Sequence, residues 1–170
     1  MRITLLRHAE PEVTADALPE AWPLTCAGRE AARRLRLPQD ARVVASPERK
    51  AVETLALALG VADVPVDPRF AEVRRPAEPV APGFRTVRQA WVQGAHDGRH
   101  DGWETTAEAA RRFDDGVRDR AGGHDLVVAT HGMVLTAWLV SVGQVAAGAP
   151  AAAFWDALAL PDVVTVDLGP

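Results

Sequence analysis

Four short hydrophobic segments rich in β-branched residues place the strongest constraint on the fold of this 170-residue chain. None of them alternates cleanly between apolar and polar residues, so each predicted strand is expected to be covered on both faces. Helical patterns separate the strands, which predicts an α/β three-layer sandwich with a mostly parallel central sheet flanked by helices. The predicted strands are Ile3–Leu6, Val43–Ala45, Leu126–Thr130 and Val163–Leu168.

Local signals mark the ends of several intervening helices. Ser46 followed by Pro47 predicts an N-cap and a first helical position, and Gly60 predicts the end of the same helix. Thr105 and Glu108 have the spacing of a capping box. The predicted helices are Thr25–Leu37, Pro47–Leu59, Thr106–Arg120 and Gly132–Val142, with one short helix near Arg85–Gln93.

The chain length predicts a single domain over residues 1–170. The segment Pro76–Gly102 is rich in proline and glycine. We interpret it as a lid-like excursion that covers the functional site and contributes to specificity, rather than as a second domain.

Composition argues against several classes of function. A net charge of −4 argues against a general nucleic-acid-binding surface. No apolar stretch approaches the roughly 20 residues of a membrane span, so no membrane association is predicted. The single cysteine, Cys26, cannot form an intrachain disulfide, which is typical of a reducing compartment, and we expect a cytoplasmic protein.

Basic and imidazole side chains follow three of the predicted strands. Arg7 and His8 follow the first, Arg49 and Lys50 the second, and His131 the third. Ligands of open α/β sheets bind beyond the carboxyl ends of the strands, and helix N-termini there favour anions. The pattern therefore predicts a phosphate site.

A metal site is the weaker hypothesis. His96 and His100 have the spacing of metal ligands on a helix, but Gly98 lies between them in the irregular excursion. A loop with solvated histidines is therefore favoured, and no further cluster completes a metal site. We predict that the protein uses neither a metal ion nor a cofactor.

Two histidines and two cations suit phosphoryl transfer. A neutral imidazole is a competent nucleophile toward phosphorus, and cations stabilise the equatorial oxygens of the transferring group. A carboxylic acid must then supply a proton to the leaving alcohol. Glu10, Glu12, Glu72 and Glu104 are the candidates for that role.

Five segments, in this order, resemble the successive motifs of the histidine phosphatase superfamily, which has the phosphoglycerate mutase-like fold. The resemblance implies that His8 becomes phosphorylated, that Arg7 and His131 hold the phosphate, and that Glu72 donates the proton. The segments are LLRHAE, LTCAGREAARRL, ASPERKAVETLA, DPRFAEV and VVATHGMVLTAWL.

The chain departs from the family pattern near the nucleophile and at one cation. Ala9, Pro11 and Thr14 stand where the family usually has glycine, threonine and asparagine. The alignment also places Lys50, the only lysine of the chain, at the usual second catalytic arginine. Lysine keeps the positive charge but lacks the planar fork of a guanidinium group. Arg49 is the alternative phosphate ligand.

These features predict a phosphomonoester phosphatase that acts through a phospho-His8 intermediate. The substrate class is a small phosphorylated metabolite or a phosphoprotein. A phosphoglycerate mutase-type phosphotransferase is the alternative enzyme. A catalytically weak domain that binds phosphorylated ligands is the alternative outside enzymes. The sequence does not predict an oligomeric state.

Overall fold

The computed structural model describes residues 1–14, 17–76 and 83–169. Within these residues a four-stranded sheet has the order β2-β3-β1-β4. β1 and β2 both pair in parallel with β3, whereas β4 pairs antiparallel with β1. The strands are β1 Arg2–Arg7, β2 Arg42–Ala45, β3 Leu126–Thr130 and β4 Asp162–Asp167.

Six α-helices are present in the described part of the chain. Their bounds are α1 Cys26–Arg33, α2 Arg49–Leu59, α3 Phe84–Gln93, α4 Thr106–Ala121, α5 Gly132–Ser141 and α6 Ala149–Ala157. The predicted capping box at the start of α4 is confirmed, since Glu108 N–H donates to Thr105 Oγ1 and Thr105 N–H donates to Glu108 Oε2. α1 is shorter than predicted and ends at Arg33.

Both faces of the sheet are buried at β1 and β3, as the missing alternation predicts. The prediction is wrong for the edge strand β4, where every second residue is exposed. Leu5 and Val128 belong to a core formed with α3, α4, α5 and α6. Their strand neighbours Leu6 and Val127 point to the opposite face, where they form a second core with Leu55 of α2. All five residues of β3 are buried because β3 lies inside the sheet and between both helical layers. The predicted three-layer α/β fold is confirmed.

The predicted start of α2 is wrong. The helix begins at Arg49, and its N-cap is Glu48 rather than Ser46. The Ser46 hydroxyl accepts a hydrogen bond from Glu48 N–H in a tight turn, and it also lies 2.7 Å from His131 Nε2. The long-range contact with His131 thus decides the orientation of this hydroxyl.

The Pro/Gly-rich excursion contains the predicted short helix as α3, which packs against α5 and α6. Residues 77–82 of the excursion, including Pro79 and Pro82, lie outside the described residues. In the described ranges, no helix combines the length and apolar character needed to cross a membrane.

Candidate active site

The carboxyl ends of the three parallel strands bring the predicted site residues to one edge of the sheet. His8 follows β1, and its backbone N–H donates to Thr130 O of β3 at 3.0 Å. The backbone N–H of Ser46, which follows β2, donates to Ala129 O of β3 at 2.8 Å. His131 is the N-cap of α5 directly after β3. The His8 and His131 rings consequently lie 5.2 Å apart, centroid to centroid.

His8 is held in one tautomer. Its Nδ1 lies 2.8 Å from the Ala9 carbonyl oxygen, which can only accept, so Nδ1 carries the proton and Nε2 keeps its lone pair. Burial lowers the pKa of His8 well below its usual 6.5, with a further contribution from His131. The ring is therefore neutral at physiological pH and carries its lone pair on Nε2, as a nucleophile requires.

His131 is fully buried, and its surroundings also favour the neutral ring. Its Nε2 lies 2.7 Å from Ser46 Oγ and 3.2 Å from Glu48 Oε1. Burial, followed by the charges of Lys50 and Arg75, lowers the pKa of His131 well below 6.5. Its Nδ1 has no hydrogen-bond partner among the described residues.

Arg7 carries positive charge into the same edge of the sheet. Its Nη1 donates to Leu158 O at 2.6 Å, which ties the guanidinium to the end of α6. Its Nε is buried and has no hydrogen-bond partner in the described part of the chain. A Cβ added at Gly132 would lie 3.2 Å from Arg7 Nε and 3.0 Å from Trp155 Nε1. The absence of a side chain at Gly132 therefore lets α5 begin close to this guanidinium.

Lys50 and Arg49 point in different directions, as neighbours about 100° apart on a helix must. The Lys50 side chain is 7% exposed, forms an ion pair with Glu48 Oε2 and donates to Pro19 O at 2.8 Å. The Arg49 side chain is 56% exposed and pairs with Glu53 at 2.7 Å. The structure thus places Lys50 inside, where its charge lowers the pKa of both His8 and His131.

Glu72 lies against the N-terminus of α5. Its Oε1 accepts hydrogen bonds from the N–H groups of Val73 and Val134, both at 3.0 Å, and its Oε2 lies 3.4 Å from Met133 N. The carboxylate therefore sits on the turn that directly follows His131. Its charge also raises the pKa of Arg7, against the larger lowering by burial.

Two of the three other candidate acids have partners of their own, and the third is exposed. Glu104 forms a nearly buried ion pair with Arg112 at 2.7 Å. Burial raises the pKa of Glu104, but the hydrogen bonds from Arg112 and from Arg74 N–H together leave it below its usual value. Glu10 accepts from Thr25 Oγ1 at 2.9 Å, and Glu12 is exposed.

Sequence reasoning missed the buried carboxylate of Glu48. Its Oε1 accepts from Glu72 N–H at 2.8 Å and lies 3.2 Å from His131 Nε2, so it joins the segment that carries Glu72 to the loop after β3. An acidic residue at a helix start is common because it compensates the helix dipole, and nothing in the sequence separates Glu48 from that ordinary role.

A family model described as the histidine phosphatase superfamily (branch 1) matches residues 3–160. The chain belongs to the histidine phosphatase superfamily. The predicted resemblance is confirmed. No curated protein matches the chain significantly.

Solved structures share the fold of this histidine phosphatase. TTHB049 from Thermus thermophilus superposes with a TM-score of 0.71 at 23% identity, over 98% of this chain and 94% of its own. A mycobacterial glucosyl-3-phosphoglycerate phosphatase superposes with a TM-score of 0.66 at 18% identity, over 96% of this chain and 88% of its own. The Rv3214 protein of Mycobacterium tuberculosis superposes with a TM-score of 0.65 at 24% identity, over 99% of this chain and 91% of its own.

The predicted solvated histidine loop of this histidine phosphatase is wrong for His100, which is buried in a 3-10 turn over Gly98–His100. Asp97 N–H donates to its Nδ1 at 3.1 Å, and its Nε2 lies 2.9 Å from Val87 O and so donates to it. Both ring nitrogens are therefore engaged with the backbone. Across residues 1–14, 17–76 and 83–169, no group of three or more His, Cys, Asp or Glu side chains is arranged to hold a metal ion.

The buried histidines predict acid sensitivity of this histidine phosphatase. Because the folded-state pKa of His8 lies below the unfolded value near 6.5, stability is complete above that pH and is lost as pH falls below it. The free energy of unfolding in urea should therefore fall by about 1 kcal/mol for each of His8 and His131 between pH 7.5 and 5.5. His8→Asn, which cannot titrate, should show a shallower fall, whereas the exposed control His124→Asn should match the native protein. Equal slopes in all three proteins would contradict the assignment.

Proposed function

We propose that this chain is a phosphomonoester phosphatase that acts through a phosphohistidine intermediate on His8. One observation carries the proposal: a neutral imidazole, with its proton fixed on Nδ1, lies 5.2 Å from a second imidazole and beside two cations at the carboxyl edge of a parallel sheet. This combination of a nucleophile and positive charge suits phosphoryl transfer.

In the first step, His8 Nε2 attacks phosphorus and the bond from phosphorus to the ester oxygen breaks. The protonated form of the Glu72 carboxyl group gives its proton to the leaving oxygen and becomes a carboxylate. In the second step, Glu72 takes a proton from water, and the resulting hydroxide attacks the phosphoryl group. The nitrogen–phosphorus bond then breaks, inorganic phosphate leaves, and both side chains return to their starting states.

The phosphoryl oxygens are proposed to bind Arg7, Lys50 and His131. One atom supports this assignment directly, since Arg7 Nε is buried and has no hydrogen-bond partner in the described ranges. A guanidinium nitrogen is always a donor, so an incoming phosphoryl oxygen would satisfy Arg7 Nε. Every role is filled by a side chain, and the activity is therefore proposed to be independent of metal ions and cofactors.

The proposed substrate is a small phosphate ester or a phosphoprotein in the cytoplasm. A glucosyl-3-phosphoglycerate phosphatase among the structural neighbours supports a phosphorylated metabolite over a nucleic acid or a membrane component. A phosphoglycerate mutase-type transfer is the alternative within enzymes. A weak phospholigand-binding domain is the alternative favoured by the ion pair between Lys50 and Glu48, because that pair reduces the charge offered to a phosphate.

The test is a turnover assay with an aryl phosphate and a panel of metabolite phosphates, with and without excess chelator. A quench in alkaline denaturant preserves a phosphoramidate bond, so the intermediate can be assigned to a residue by mass spectrometry. Phosphate release with a phosphohistidine at His8 is expected. Phosphoryl transfer between two metabolites without net release would favour the mutase, and binding without turnover would favour the non-catalytic domain.

Glu72→Gln is expected to slow hydrolysis of alkyl phosphates about 10²–10⁴-fold, the usual contribution of a general acid or base. When formation of the intermediate is measured as a burst, activated aryl phosphates should lose much less, because their leaving oxygens need no proton. Glu104→Gln is a poor control, since it breaks a buried ion pair, whereas the exposed Glu12→Gln changes charge without such a loss. Equal loss on both substrate types would remove Glu72 from the acid role.

A further inference from the structure

The proposed reaction does not use Glu48, yet its carboxylate lies inside the site. The Glu48 side chain is 8% exposed. Its Oε2 pairs with the Lys50 ammonium, and its Oε1 accepts from Glu72 N–H at 2.8 Å and lies 3.2 Å from His131 Nε2. A carboxylate is thus buried among groups that surround the proposed nucleophile.

The partners of Glu48 are the kinds of donor that a phosphoryl group requires. An ammonium, a backbone N–H and an imidazole all stabilise the oxygens of a bound phosphate. Two of them, Lys50 and His131, are the residues assigned above to phosphate binding. The two oxygens of the Glu48 carboxylate therefore already occupy donors that two phosphoryl oxygens would use.

A phosphate and this carboxylate cannot share Lys50 without cost. Both are anions, and like charges placed together in a poorly solvated site repel strongly. A phosphate that reaches Lys50 must either displace the Glu48 carboxylate from the ammonium or bind against its charge.

No hydrogen bond from the N-terminus of α2 holds the carboxylate in place, and Glu72 N–H is its one backbone donor among the described residues. Glu48 is the N-cap of α2 by backbone position only, since its side chain makes no capping bond to the helix. The local turn is instead held by Ser46 Oγ, which accepts from Glu48 N–H at 3.2 Å. The side chain can therefore leave Lys50 while the turn remains intact.

We propose that Glu48 is a resident anion that competes with the phosphoryl group for Lys50 and so sets the phosphate affinity of this site. The inference rests on the proposed function, because it assumes that phosphate binds at Lys50 and His131. It makes Glu48 a specificity-determining residue: the site releases inorganic phosphate readily and favours esters whose organic portion adds binding of its own.

Calorimetric titration with inorganic phosphate, and with orthovanadate as a second probe, tests the proposal. Glu48→Gln keeps the shape and an oxygen acceptor for Lys50 but removes the charge. It should bind both probes about tenfold or more tightly than the native protein, since close like charges cost several kcal/mol. The matched control is Glu53→Gln on the same helix, which makes an equal change in net charge beside Arg29 and Arg49. The control should leave both affinities nearly unchanged.

The outcomes separate this proposal from the proposed function. If the native protein and Glu48→Gln bind phosphate equally, or Glu48→Gln binds it more weakly, Glu48 is not a competitor and the proposed function stands. If Glu48→Gln and Glu53→Gln both bind phosphate more tightly by the same factor, the cause is the change in net charge, and the proposal is overturned. If neither protein binds phosphate or vanadate, the phosphate site itself is wrong.

A second variant guards against misfolding of the first. Glu48→Leu also removes the charge and suits a buried position, so its tighter binding would support the proposal even if Glu48→Gln failed to fold. Thermal unfolding reports the folded state of each variant. If both variants unfold, Glu48 is required for the fold and its role as a displaceable competitor is refuted.

Discussion

His8→Ala is expected to abolish phosphate release and covalent phosphoryl labelling together. His8 supplies the only proposed nucleophile, and its lone pair is directed by the hydrogen bond from Nδ1–H to Ala9 O. Removal of a residue that forms a covalent intermediate should lower turnover by several orders of magnitude, on the order of 10⁴–10⁶. Phosphate release is measured colorimetrically, and labelling by mass spectrometry after an alkaline quench.

The same variant should still bind phosphate, because Arg7, Lys50 and His131 remain in place. Retained binding would show that the site is intact and that the chemical step alone has been lost. His124→Ala is the matched control, since His124 is exposed and its Nδ1 lies 3.1 Å from the backbone oxygen of Gly122. Persistent labelling in His8→Ala would identify another nucleophile and refute the proposed mechanism.

Lys50→Met is expected to lower turnover about 10²–10³-fold, the effect of removing one donor that stabilises developing charge. Methionine has nearly the same bulk, so the buried position stays filled. Arg49→Met should cost far less, because Arg49 is mostly exposed and pairs with Glu53. Steady-state kinetics of both variants on one aryl phosphate make the comparison.

Lys50→Arg provides the complementary test of charge. It keeps the cation and should retain more activity than Lys50→Met, since a guanidinium also binds phosphate. If Arg49→Met instead showed the larger loss of turnover, the family alignment would be wrong by one residue and the phosphate ligand would be Arg49. If Lys50→Met affected only binding in a protein without turnover, the phospholigand-binding alternative would be favoured.

The local sequence determined most of the fold. The predicted strand Leu126–Thr130 has the bounds of β3, and the capping box at Thr105 starts α4 as predicted. The absence of alternation in β1 and β3 predicted a sheet buried on both faces, because period-two patterning appears only where one face meets water. These features depend on neighbouring residues, so the amino-acid order alone carries the signal.

The sequence also predicted which residues meet at the candidate site. Arg7, His8 and His131 each end a parallel strand, and parallel strands deliver their carboxyl ends to one edge of the sheet. That geometric rule needs only the strand positions and the sheet type, and it predicts the proximity of the two imidazoles, which lie 5.2 Å apart.

Only the tertiary structure decided how the charges of the site are partnered. The bonds from Arg7 to Leu158 and from Glu72 N–H to Glu48 join residues 151 and 24 positions apart, and no local pattern encodes them. Nor does a local pattern encode the contact of Ser46, which was predicted to cap α2 but instead contacts His131. Burial and charge partners depend on the packing of whole layers, and for that reason the position of Glu48 against Lys50 is visible only in three dimensions.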